Sequence, residues 1–263
     1  MTSTNDSNYL EILADCQHWA DEAAVLARQY FRQPTEVSFK TDQSPVTVID
    51  QLIESELKKA ISAKYPEDGI LGEESGTDAA TNDNLWVIDP IDGTRSFVSG
   101  NPLFGMLLAY VQAGVPAVGV ISMPILNEIY SGGVGLPASC NGKVIKVSDQ
   151  VNIDDCLLSI NEGEKLLSEH PQKLSRLMTT GKVRRFGYDC YPHALLAAGH
   201  IDAVIDYDLK PYDYLSLSMV IQSAGGVITD WKGNKLDMHS KGDVLSAATP
   251  ELHQSLLKRL NCD

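Results

Sequence analysis

No C-x-x-C pair occurs in this chain, and its five cysteines, Cys16, Cys140, Cys156, Cys190 and Cys262, are odd in number and widely spaced. That excludes a disulfide framework and a thiolate zinc site and leaves free thiols. Nor does any stretch approach the ~18 consecutive apolar residues of a membrane span, so no membrane association is expected. The opening M-T-S-T-N-D-S-N-Y lacks the basic and apolar regions of a signal peptide, which predicts a cytoplasmic protein. Basic residues are scarce: 21 Lys and Arg face 35 Asp and Glu, for a formal net charge of -14. Such a surface repels polyanions, and nucleic acid is not an expected partner. Internal repeats and low-complexity tracts are missing as well. What the chain does have is 263 residues with 43% apolar content, enough to bury a full core.

From residue 9 to 31, apolar positions including Leu10, Leu13, Trp19, Ala20, Ala23 and Ala27 recur with helical spacing and predict a long amphipathic helix. A polar, extended segment spans residues 33–45. Thr47 then caps a second helix, with Asp50 in the capping-box relation and Ile49, Leu52, Ile53, Leu57 and Ile61 on one face, ended by Pro66 and Gly69. Apolar runs at 69–71, 85–88, 104–111, 117–123 and 128–134 read as strands of one largely antiparallel sheet, since several connections are too short for crossover helices. A second half begins near Asn141 and Gly142. Strands are expected there at 143–147, 157–160, 183–186, 203–207 and 226–231, with helices at 164–179, 189–199, 212–224 and 250–260. The expected fold is a layered α/β sandwich. It forms a single domain over 1–263, with an N-terminal half 1–141 and a C-terminal half 142–263.

The chemistry concentrates in residues 86–94, W-V-I-D-P-I-D-G-T. Pro90 stiffens the turn between Asp89 and Asp92, so both carboxylates and the Ile91 carbonyl can reach one hard cation. Gly93 and Thr94 open a short helix over 94–98, whose free N–H groups would face an anion. Glu73 and Glu74 follow a strand whose alternation sends them to opposite sides, and Glu73 is the one taken as a ligand. Asp213 sits at a helix start, where it either joins the cluster or only stabilises the helix dipole. Gathering Glu73, Asp89, Asp92 and Asp213 without cations is opposed by repulsion and desolvation, so two or three divalent ions are required. With no His or Cys among them, Mg²⁺ is favoured over Zn²⁺. Thr94 could orient a water, with Glu73 accepting its proton and Asp50 accepting from Thr94; the alternatives are a plain helix cap for Thr94 and a capping-box partner for Asp50.

With these residues in place, the chain resembles the inositol monophosphatase superfamily of Mg²⁺-dependent, lithium-sensitive phosphatases. The resemblance runs nearly end to end: K-T-D-Q-S-P-V-T-V-I-D at 40–50, G-E-E-S at 72–75, W-V-I-D-P-I-D-G-T at 86–94 and Y-D-Y-L-S-L-S-M-V-I-Q-S-A-G-G at 212–226. It implies a five-layer αβαβα sandwich of the fructose-1,6-bisphosphatase type, frequent dimers and two to three Mg²⁺ per site. A first metal would be held by Glu73, Asp89 and the carbonyl of Ile91, and a second by Asp89, Asp92 and Asp213. Glu73 and Thr94 would activate water, Asp50 would bond Thr94, and the amides of Gly93 and Thr94 would bind phosphate.

Three departures from the inositol pattern resemble the bacterial histidinol-phosphate phosphatases of this superfamily. They are Lys210, Pro211 and Tyr212 before Asp213, the segment R-S-F-V-S-G-N-P-L-F-G after Thr94, and an acid, Asp189, in Gly187 to Tyr191. Histidinol phosphate carries an ammonium group and an imidazole, which call for carboxylates beyond the metals. Asp189 and Asp206 are the candidates, with Asp208 close enough to Asp206 to compete and a helix cap the alternative for Asp189. Asp92 would also touch substrate, and Arg184 and Arg185 would either flank the pocket or sit solvated at a strand end. His193 and His200 read as surface or packing residues. The expected activity is Mg²⁺-dependent hydrolysis of L-histidinol phosphate to L-histidinol and phosphate, in histidine synthesis. The alternatives are an inositol-1-monophosphatase, a broad sugar or polyol phosphatase, and a binding protein that keeps the fold without catalysis.

Overall fold

The computed structural model describes residues 4–34, 36–40, 45–78 and 80–262. Helix α1 (Thr4–Tyr30) contains neither Gly nor Pro, and its stripe of Ile12, Cys16, Trp19, Ala20, Ala23 and Ala27 is buried. Strand β1 (Val37–Phe39) pairs antiparallel with β2 (Pro45–Thr47). Part of the expected extended segment, and residues 41–44 of the K-T-D-Q-S-P motif, lie outside the described residues. Helix α2 (Val48–Lys64) opens on the capping box expected at Thr47 and Asp50. Asp50 Oδ2 accepts from the Thr47 N–H at 2.9 Å, and Thr47 Oγ1 accepts from the Ile49 N–H at 3.1 Å.

The next elements are β3 (Gly69–Gly72), β4 (Gly76–Asp78), β5 (Asn84–Asp92), the short helix α3 (Thr94–Ser99), β6 (Gly105–Gln112), β7 (Val115–Met123), β8 (Glu128–Gly133), β9 (Leu136–Cys140) and β10 (Lys143–Val144). The strands from β3 onward form one 8-stranded sheet in the order β10-β9-β8-β7-β6-β5-β3-β4. Its pairs are antiparallel except β3 with β5. Short turns impose this: Ala113 and Gly114, at φ 50° and 78°, alone join β6 to β7, and two residues at φ > 0 match the twist of a hairpin. The strand expected at 143–147 is corrected to two residues at the edge of this sheet. The Ile145 N–H still bonds the Ala138 carbonyl of β9 at 3.0 Å, after which the chain turns away and the Val147 N–H bonds the Ala224 carbonyl at 3.1 Å instead.

The remainder comprises β11 (Leu157–Ile160), α4 (Gly163–Glu169), α5 (Pro171–Leu177), β12 (Val183–Phe186), α6 (Tyr191–Ala197), β13 (Ala203–Asp206), α7 (Pro211–Ser223), β14 (Val227–Asp230), β15 (Val244–Ala247) and α8 (Pro250–Asn261). These strands make a 5-stranded sheet, β12-β11-β13-β15-β14. The single helix expected at 164–179 is two, because Pro171 has no N–H to donate to the preceding turn and instead opens α5. The V-L-S-A of β15 carries no alternation to announce it, being buried throughout.

Five layers result. Helices α1 and α2 cover one face of the larger sheet; α6 and α7 lie between the two sheets; α4, α5 and α8 cover the outer face of the smaller. This is the αβαβα sandwich the resemblance implied. Among the described residues no helix is long and apolar enough to cross a membrane.

Candidate active site

The site opens at the C-terminal end of β5. In a regular strand, residues three apart face opposite sides. Between Asp89, opposite Leu107, and Asp92, opposite Gly105, β5 carries one residue more than its partner, and this bulge turns both carboxylates to one side. Gly93 follows at φ 91°, a conformation that suits glycine, and a Cβ there would lie 2.4 Å from the Asp189 carboxyl group. From the centre of the molecule, the first turn of α7 adds Asp213, held by the Lys210 N–H at 2.6 Å. Carboxylate oxygens of Asp89, Asp92 and Asp213 lie within 4.8 Å of one another.

Each of these acids is anchored from behind. Asp89, 2% exposed, accepts from the Ile91 N–H at 3.0 Å, and Asp92 accepts from the Cys190 N–H. Glu73 stands in the turn after β3, where Lys40 Nζ reaches it at 2.7 Å and Glu74 at 2.8 Å. One ammonium touches both glutamates, so they are not sent to opposite sides; strand alternation stops at Gly72 and residues 73–75 form a turn. Glu73 is the one that faces Asp89. The turn is held by Glu54, 2% exposed, which accepts from the N–H groups of Glu74 at 2.8 Å and Ser75 at 3.0 Å and from the Ser75 hydroxyl. Sequence reasoning missed Glu54. Its signal was an acid four residues after Asp50 and three before Leu57, on the buried stripe of α2.

The Thr94 hydroxyl reaches Asp50 Oδ1 at 3.1 Å and the Ile91 carbonyl at 3.2 Å. It caps nothing, since Gly93 is the residue before α3. Asp50, fully buried, serves the capping box through Oδ2 and Thr94 through Oδ1, so its two roles coexist.

A cleft of about 190 Å³ extends from these acids past Gly93 and Thr94 to Arg95, Glu162, Lys165, Asp189, Asp206 and Asp208. Asp189 is not a helix cap: its Oδ2 accepts from Ser96 Oγ at 2.6 Å. Asp208 is paired with Lys165 at 2.5 Å and Lys210 at 2.6 Å. Asp206, 2% exposed, instead receives Asn161 Nδ2 at 2.7 Å and contacts His193 at 3.1 Å. His193 is thus neither a surface residue nor simple packing. Arg185 is a correction. The edge strand β12 carries it into a separate apolar groove beside Leu103, Phe186 and Tyr188, while Arg184 bonds the Thr180 carbonyl at 2.9 Å; Arg95 is the arginine at the cleft.

Burial, reinforced by Glu73, Asp92 and Asp213, pushes the Asp89 carboxyl well above the usual range. Burial with Asp189 and Asp213 does the same to Asp92. Asp213 is pushed up to about 7, first by burial, and Asp189 to about 6, again first by burial. Burial and mutual repulsion thus oppose keeping these carboxylates ionised together. Divalent cations reverse that, and a donor set of carboxylate and carbonyl oxygens fits Mg²⁺.

Comparison with known proteins agrees with this geometry. Residues 9–262 match the inositol monophosphatase family. The bifunctional phosphatase IMPL2, chloroplastic, of Arabidopsis thaliana is 37% identical over 250 residues, covering 92% of this chain and 72% of that protein. A histidinol-phosphatase of Chlorobaculum parvum is 37% identical over 227 residues, covering 85% and 87%. The solved structure of an inositol monophosphatase from Zymomonas mobilis superposes with a TM-score of 0.87 at 34% identity, over 99% of this chain and 100% of that one. From within α1 to the end of α8, and through the bulged acid pair of β5, the chain belongs to the inositol monophosphatase family.

Proposed function

We propose that this phosphomonoester hydrolase acts with Mg²⁺ on L-histidinol phosphate, releasing L-histidinol and phosphate. The observation that carries the substrate is the acid wall beyond the metal cluster. Glu162, Asp189 and Asp206 face one another across the cleft, and Asp189 also faces Asp92. Arg95 and Lys165, the latter 3.9 Å from Glu162, offset part of this charge; a neutral polyol adds nothing further, whereas an ammonium and an imidazolium do. Asp208 already has its two lysines, which leaves Asp206 for substrate.

Glu73, Asp89, Asp92, Asp213 and the Ile91 carbonyl would hold the metal ions. Four carboxylates and a phosphate monoester of about −2 make two to three divalent ions the balanced number. When bound, Mg²⁺ supplies Lewis acidity toward the phosphoryl oxygens and acidifies a water. The protein's part is positional. N–H groups of Gly93 and Thr94, at the start of α3 where intrahelical carbonyls are lacking, receive phosphate oxygens. By donating to Asp50, the Thr94 hydroxyl keeps its lone pairs for the attacking water, and Glu73 takes that water's proton. Lys40 must share Glu73 with any metal bound there. Lithium should inhibit by taking a Mg²⁺ position. All five cysteines are free, which suits a reducing cytoplasm, and the acid excess disfavours nucleic acid. A second reading, an inositol monophosphatase, is favoured by the likeness to the Zymomonas mobilis structure.

Asp189→Ala tests the acid wall. It should raise KM for histidinol phosphate by roughly 10- to 100-fold, the range for a hydrogen bond to a charged group, while leaving KM for 4-nitrophenyl phosphate within about threefold. An equal loss on both substrates would sink the recognition role.

A further inference from the structure

Behind Asp206 stands a row of buried side chains that the hydrolytic centre does not use. In the pairing of β13 with β15, Ser246 lies opposite Val204, and Asp206, two residues further, shares that face of the sheet. The His193 imidazole, from α6, bridges them: Nδ1 is 3.1 Å from Ser246 Oγ and Nε2 is 3.1 Å from Asp206 Oδ2. Ser246 and His193 are fully buried. An ionised Asp206 only accepts, so Nε2 carries the proton and Nδ1 accepts from the Ser246 hydroxyl. Oδ2 also receives Asn161 Nδ2 at 2.7 Å, and Oδ1 receives the Tyr207 N–H at 2.9 Å. Asn161 Nδ2 is 3.2 Å from the Asp189 carbonyl as well, tying the two outer acids together.

Three donors on one carboxylate fix its plane. Two would be satisfied by local backbone and Asn161; the third comes from a helix whose buried residues Pro192, Ala194, Leu196 and Ala197 are otherwise apolar. A histidine there is costly to bury unless both ring nitrogens are engaged, and they are. We propose that His193 is a positioning residue for recognition: it locks Asp206 so that its free lone pairs meet the cationic end of the substrate. The nature of that cationic end rests on the histidinol phosphate reading. The coupling of His193 to Asp206 does not.

His193→Phe keeps the ring volume and removes both bonds, while His193→Gln restores one N–H donor. The Phe variant should raise KM for histidinol phosphate on the order of tenfold, with kcat near wild type and 4-nitrophenyl phosphate kinetics within twofold, and the Gln variant should recover most of the loss. Equal losses on both substrates, or none, would overturn the proposal. A cycle with Asp206→Ala separates this outcome from failure of the substrate reading. On whichever monoester the wild type hydrolyses best, His193→Phe should add nothing to Asp206→Ala, whereas additive losses would refute action through Asp206. Should His193→Phe not fold, Ser246→Ala removes the distal bond and must show the same selectivity, at smaller amplitude; unselective or absent effects there overturn the proposal equally.

Discussion

Asp213 faces Asp89 and Glu73 from the first turn of α7, and burial is the main cause that lifts its carboxyl to about 7. An acid whose folded pKa lies above its unfolded value of roughly 3.9 is protonated more readily in the folded state. Stability of the metal-free protein therefore falls as pH rises from about 4 to about 7, and Mg²⁺ restores it. Asp213→Asn keeps an oxygen for the Lys210 N–H and removes the charge. In EDTA at pH 8 it should raise Tm by at least about 2 °C, while phosphate release with Mg²⁺ falls by roughly 100-fold or more. An unchanged Tm, or turnover near wild type, would contradict this. The ligand acids were legible because they sit in short strings that state their own chemistry, as in D-P-I-D-G-T. Glu54, Lys40 and the Cys190 N–H were not, since each acts through a neighbour distant in sequence. Arg185 was misplaced because strand-end spacing says nothing of which groove an edge strand faces.

At the scale of elements, periodicity located the long helices and most of the strands of the larger sheet. It failed where one residue changes the count. The bulge in β5 has no sequence mark beyond Pro90, yet it decides that Asp89 and Asp92 share a side. Pro171 broke a helix that apolar spacing alone continued. Among the described residues strand β12 has no neighbour on its outer side, with Val183 and Phe186 exposed and Leu103 and Tyr188 beside them. The homodimer implied by the resemblance would cover this edge. Sedimentation should give twice the 28.7 kDa chain mass, and Phe186→Asp should halve it; a wild-type monomer would contradict that placement.

For the whole molecule, layering is what brings the site together. The larger sheet supplies Asp89 and Asp92, the turn after β3 supplies Glu73, and α7, packed between the sheets, supplies Asp213. Composition and alternation predicted layers of α and β, and charge counting suggested that 73, 89, 92 and 213 gather around cations, but Asp213 stayed open between ligand and helix-dipole acid until the family resemblance, since no local pattern encodes a contact so distant in sequence. The smaller sheet ends at the acids Glu162, Asp189 and Asp206, so the metal-binding acids and the proposed recognition wall rise from different layers. On that proposal, substrate preference should be separable from catalysis. The direct measurement is phosphate release from the purified protein with Mg²⁺, with kcat/KM determined for L-histidinol phosphate and for inositol-1-phosphate. A value at least about tenfold higher for histidinol phosphate, lost on chelation, is the expected result; an equal or higher value for inositol-1-phosphate would contradict it.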